Sequence, residues 1–217
     1  MTQQNPIFQE IDDDLERKRI EDLWKRYGVL IIAGAFAVVA GTGIYSYWHG
    51  WKVQNMQKTT SALIDIMANP SDDKAKQIEI LQNFAEKSHG TTQSTFARLD
   101  AGALASREGD AKKAIAIYDG VAADAKSDLA FRQLADLFSV EEQMDDGNSV
   151  ALQQRLQPLL AESAPWKYSA MEDSAFLSLR AGDKAKAKQL FGELAKDSNA
   201  PQSLAERAND MARFLDE

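Results

Sequence analysis

The chain has 217 residues, with 25 Lys and Arg against 33 Asp and Glu, a formal net charge of −8, 2 histidines and no cysteine. That balance disfavours nucleic acid as a partner, and the lack of cysteine removes disulfides, thiolate metal sites and thiol chemistry. His49 and His89 have no second histidine at metal-ligand spacing, so no metal and no cofactor is expected.

Residues 1–27 form a charged head. From Gly28 to Trp48 there follow 21 positions without an Asp, Glu, Lys, Arg or His, a run that as a helix reaches ~31 Å and matches the apolar thickness of a bilayer. A lone spanning segment satisfies its backbone only as a helix, so 28–48 reads as transmembrane. Trp24 and Tyr27 at one end, and Tyr45, Tyr47, Trp48 and Trp51 at the other, suit the two headgroup zones. Arg17, Lys18, Arg19, Lys25 and Arg26 precede the span closely, against Lys52 and Lys58 after it. This bias predicts a cytoplasmic N-terminus, and the acidic residues of the head do not reverse it. The leader is long and acidic and the apolar run is full length, unlike a cleaved signal peptide. Ala33, Ala37 and Gly41 recur every fourth residue and place small side chains on one helix face, where a partner helix can approach. Such residues are also simply frequent in membrane helices, so the stripe reads either way.

Residues 49–217 read as one helical domain. Met56, Thr60, Leu63 and Met67 fall at helical spacing up to the stop at Asn69-Pro70. The next helix is predicted over about 72–87, with Ser71 or Asp72 as its cap, and His89-Gly90 ends it. Further helices are expected over 93–107, 110–125, 128–143, 149–163, 166–181, 184–196 and 202–215. Their short connections force neighbours to pack antiparallel. Pro158 bends or breaks the 149–163 segment, and Asp145-Asp146-Gly147-Asn148 is a turn without the downstream ligands of a calcium loop.

The strongest signal in this part is a recurrence. Gly109, Asp110, Ala114, Tyr118 and Val121 are matched at identical offsets by Gly182, Asp183, Ala187, Phe191 and Leu194. Each set reads as a turn whose Asp caps a helix, then a small residue at a close crossing, then an aromatic and an aliphatic residue filling the groove between helices. Gly102 and Ala175, each seven residues before its turn glycine, are small residues on the first helix of a pair, where the partner's Ala approaches. The turns lie 73 residues apart, which leaves room for one degenerate unit beginning at Phe131, Leu134, Leu137 and Phe138. A unit of about 34 residues matches the tetratricopeptide period. The final helix, with Leu204, Ala208, Met211 and Leu215 on one stripe, suits an end cap. The expected fold is therefore all-α: a single N-terminal transmembrane helix, then an antiparallel helical-hairpin solenoid.

The head FQEIDDDLERKRIEDLWKRYG running into one anchor, with the later segment SAPWKYSAMEDSAFLSLRAGDKAKAKQLFGELAKD, resembles the bacterial YfgM-like tetratricopeptide membrane proteins. The resemblance implies a single-pass protein of the Gram-negative inner membrane with its repeats in the periplasm. It implies an ancillary role at the SecYEG translocon and association with the membrane-anchored periplasmic chaperone PpiD. It also implies a groove lined by the first helix of each pair, giving Leu99, Ala103, Ser106 and Arg107 in one unit and Glu172, Phe176, Leu179 and Arg180 in another. Arg107, Phe176 and Arg180 are the expected partner contacts, since arginine holds carboxylates bidentately and an exposed aromatic anchors an interface.

No HExxH, GxSxG, phosphate-binding loop or cysteine nucleophile is present, so the chain reads as a binding module without catalytic activity or small-molecule substrate. A scaffold for another envelope process, such as division or outer-membrane assembly, is the competing function. Self-association through the Ala33, Ala37 and Gly41 stripe is a third.

Overall fold

The computed structural model describes residues 56–216 together with His49 and Gln54. The head, the 28–48 span and its Ala33, Ala37 and Gly41 stripe lie outside the described residues. Among the described residues no helix is long and apolar enough to cross a membrane. The chain divides into two units, Met1–Lys58 and Thr59–Glu217. In the first, the described residues are helical. The second carries everything that follows.

Its helices are α1 (59–68), α2 (Lys74–Lys87), α3 (Thr92–Arg107), α4 (Ala111–Ala122), α5 (Leu129–Glu141), α6 (Ser149–Leu156), α7 (Lys167–Arg180), α8 (Lys184–Lys196) and α9 (Gln202–Phe214). A 3₁₀ turn, Gln157–Leu160, follows α6 where Pro158 interrupts the 149–163 segment. Among the described residues there is no strand. α1 stops at Asn69, whose side-chain amide donates to Asp65 Oδ1 at 3.0 Å just before Pro70.

The start of α2 and the end of α4 differ from the sequence expectation because a side chain is engaged elsewhere. α2 is capped by Asp73, which accepts from the Ala75 and Lys76 amides, and not by Ser71 or Asp72. The Ser71 amide instead donates to Gln77 Oε1 at 2.9 Å, which holds residue 71 outside the helix. α4 ends at Ala122, short of residue 125, because the Asp124 carboxylate accepts from the Lys126 amide at 3.0 Å and turns the chain.

The two recurrent turns are superimposable in their dihedral angles. Gly109 and Gly182 have φ of 77° and 82°, a left-handed conformation that favours glycine. Asp110 and Asp183 cap the following helices through the Lys113 and Lys186 amides at 3.1 and 2.9 Å. The close crossing differs from the expected Gly–Ala contact. A Cβ at Gly102 would stand 2.5 Å from Tyr118 Cε1, so the tyrosine ring lies directly on the glycine.

Successive helices pack as hairpins: α2 on α3, α3 on α4, α4 on α5, α7 on α8 and α8 on α9. Three apolar clusters run along the array. Leu81, Ala97, Ala101, Tyr118 and Val121 anchor the first, Leu137, Leu156, Leu159 and Leu177 the second, and Ala175, Phe191, Leu194 and Ala208 the third. The middle unit lacks the Gly-Asp turn, and Arg155 on α6 serves there as a polar staple. Its guanidinium donates to Asp136 at 2.8 Å, to Ser139 Oγ at 3.1 Å and to Asp119 at 2.5 Å, tying α4, α5 and α6 together.

Candidate protein-interaction surface

The first helices of the pairs are joined side by side. Gln93 Nε2 on α3 donates to Thr60 Oγ1 on α1 at 2.7 Å. Phe96 on α3 meets Phe131 on α5 edge to face, with centroids 4.9 Å apart. Trp166 Nε1, at the start of α7, donates to the Ala130 carbonyl of α5 at 2.7 Å. Arg207 on α9 grips Glu172 on α7 with two bonds of 3.0 and 2.7 Å. Thus α1, α3, α5, α7 and α9 form one layer, and α2, α4, α6 and α8 the other.

Large apolar side chains reach solvent almost entirely from the first layer. Ile64 and Met67 on α1, Phe96 on α3, Leu129 on α5, Phe176 on α7 and Phe214 on α9 are exposed, whereas Val150 on α6 is the counterpart on the second layer. A succession of this kind on neighbouring elements marks an interaction surface, whereas a single exposed leucine does not.

The residues expected to line a groove lie on this layer but in different states. Leu99 is 7% exposed and belongs to the core. Ala103 and Ser106 are half-buried, and Arg107 is exposed with no ion pair among the described residues. Glu172 is held by Arg207, and Leu179 packs against the α7–α9 core. Phe176 is 37% exposed, with its ring edge-to-face on Phe191 at 5.1 Å. Arg180 is committed within the chain. Its Nε and Nη2 donate to Ser149 Oγ at 3.0 and 2.8 Å, and its Nη1 and Nη2 also donate to the carbonyls of Met144 and Gly147. It therefore closes the α5–α6 connection. Phe96, Leu129, Phe131 and Trp166 were absent from the expected set. Phe96 precedes Ala103 by seven residues, so helical spacing alone places it on that face.

Burial raises two acids of this layer, Glu141 on α5 and Asp173 on α7. Asp173 on α7 has a buried Oδ2 without a hydrogen-bond partner. Burial, reinforced by Glu141 and Glu172, pushes its carboxyl up to about 7. A raised acid pKa adds stability below the unfolded value near 3.8, and that contribution is lost as pH rises through about 7. Asp173→Asn is therefore expected to be more stable than the wild type at pH 8 by about 1–2 kcal/mol, the full shift being reduced for residual solvent access. Urea denaturation at pH 5 and pH 8 checks this, and a difference that does not grow with pH refutes it. Among the described residues no three His, Asp or Glu side chains converge to hold a metal ion.

Residues 21–189 match the model of the tetratricopeptide repeat-like domain family. The chain belongs to the tetratricopeptide repeat-like family. α9 lies beyond the matched region and closes the array. The chain is also 30% identical over 128 residues to a Haemophilus influenzae protein named ancillary SecYEG translocon subunit, an alignment spanning 58% of this chain and 57% of that relative. It thus covers somewhat over half of the relative's length. No solved structure matches the tetratricopeptide repeat-like chain.

Proposed function

We propose that the chain is a membrane-tethered protein-interaction module that assists a SecYEG-type translocon and a PpiD-type periplasmic chaperone in handling exported proteins. Partners dock on the layer formed by α1, α3, α5, α7 and α9. The observation that carries this reading is the succession of exposed apolar side chains, Ile64, Met67, Phe96, Leu129 and Phe176, on helices joined edge to edge. The name of the Haemophilus relative supports the translocon as the destination. An anchor at 28–48, with the N-terminus cytoplasmic and the array periplasmic, concentrates that surface beside other proteins of the inner membrane, so modest contacts suffice.

The test is photo-crosslinking in cells from Phe96, Leu129 and Phe176, with Lys186 and Gln189 on α8 of the second layer as controls, followed by mass spectrometry. Translocon and chaperone peptides are expected several-fold above the controls from the first-layer positions. Equal labelling from the α8 controls, or recovery of a different envelope complex alone, defeats the proposal.

A further inference from the structure

The second layer carries a pocket of about 480 Å³ between α2 and α4, away from the surface just described. Ala85, Ala116, Ile117 and Gly120 give it a floor of small and aliphatic groups. Around them stand Arg98 from α3, His89 from the end of α2 and Lys113 from α4. A Cβ built on Gly120 meets nothing within 4 Å, so the glycine leaves open the space that a side chain would fill.

The Arg98 side of the wall is held in advance. Asp124 Oδ2 accepts from Arg98 Nη2 and faces His89 Nε2 at 3.0 Å, while its Oδ1 accepts from the Lys126 amide at 3.0 Å. Ser127 Oγ lies 3.3 Å from the same Arg98 Nη2. Arg98 still carries more donors than the protein satisfies. Nη1 has only a 3.5 Å contact with the Gly120 carbonyl, and Nε has no partner. Lys113 forms no ion pair among the described residues, and neither does Glu86, the one carboxylate in the lining.

We propose that this pocket receives the side-chain carboxylate of an aspartate or glutamate on a partner protein, together with an adjoining aliphatic side chain. The carboxylate meets Arg98 Nη1 and Lys113, and the aliphatic group covers Ala85, Ala116 and Ile117. Because Asp124 fixes Arg98 and His89 beforehand, little side-chain freedom is lost on docking. The occupant is part of a protein because the pocket is open along the α2–α4 groove. Small molecules bind where most of their surface is enclosed, whereas a protein segment draws further contact from the helices alongside. The array then engages two proteins at once, one on each layer.

Methyl NMR on the full-length chain in detergent, labelled at Ala and Ile, tests this with N-acetyl-Leu-Glu-amide and N-acetyl-Leu-Gln-amide as probes. The glutamate peptide is expected to shift Ala85, Ala116 and Ile117 with a Kd in the millimolar range, with the glutamine peptide about tenfold weaker. Gly120→Leu fills the open space and should abolish the shifts while leaving the Ala208 methyl unmoved, which reports an intact fold. Lys113→Gln, on the helix surface, should weaken the glutamate peptide about threefold and leave the glutamine peptide unchanged. Equal binding of the two peptides, saturable shifts that survive Gly120→Leu, or no shift at up to about 20 mM overturns the proposal.

Discussion

Phe191→Ala is expected to cost the folded domain about 3–5 kcal/mol. Phe191 is fully buried in the cluster formed by α7, α8 and α9, beside Ala175, Ala187, Leu194 and Ala208. Ala175, Ala187 and Ala208 beside it have short side chains that cannot swing into the void, so a cavity remains on that side and its cost adds to the lost transfer energy. The same ring supports Phe176 edge to face at 5.1 Å, so the substitution also loosens the exposed aromatic on the first layer. Urea denaturation followed by helical circular dichroism gives the loss. Phe214→Ser, at an exposed position, should stay within about 0.5 kcal/mol of the wild type. A loss below about 1 kcal/mol for Phe191→Ala would show that α8 is not clamped between α7 and α9 as described.

Gly102→Leu is the second large effect, about 3 kcal/mol, with Gly102→Ala near 2. The Cβ by itself would come within 2.5 Å of Tyr118 Cε1 and 2.9 Å of Cδ1 and Cζ. The tyrosine cannot retreat, because it is buried and Phe138 packs on it with ring centroids 5.4 Å apart. The α3–α4 crossing must therefore open, which disturbs the α4–α5 packing as well. Thermal unfolding of the single variants and of Gly102→Ala with Tyr118→Leu separates this cause from a general loss of helix stability. Trimming the ring should recover much of the alanine's cost, giving a coupling of about 1 kcal/mol or more. Strict additivity would show that the glycine is not there for the ring.

These two positions also mark where sequence reasoning succeeded and where it stopped. Gly102, Tyr118, Ala175 and Phe191 were legible as a repeat because they recur at matched offsets, and the structure gives the two turns nearly the same φ. What lay on Gly102 was not legible. The approach of a tyrosine ring in place of an alanine depends on how far α4 is rotated about its axis, which α5 and Phe138 help to set. The middle unit shows the same limit. Its degenerate turn was visible, but Arg155 and Arg180, which hold it, gave no local sign of that work, because their acceptors lie 16 to 37 residues away.

The candidate site divides along the same line. Arg107 and Phe176 remain exposed on the first layer, while Leu99 is buried and Glu172 and Arg180 are engaged by partners within the chain. Exposed arginine and arginine clamped to carbonyls have the same spacing in a helix, so periodicity could not separate them.

The sequence by itself determined the helical class, the places where the chain turns and the caps at Asp110 and Asp183, since these rest on hydrogen bonds between near neighbours in the chain. Only the tertiary structure decided which polar side chains are spent inside the chain, which apolar ones remain in solvent, and that a pocket with Arg98 and Lys113 on its wall opens between α2 and α4. Those outcomes depend on helix rotation and on contacts between distant segments, where side-chain packing and charge pairing over the whole array settle what no local pattern encodes.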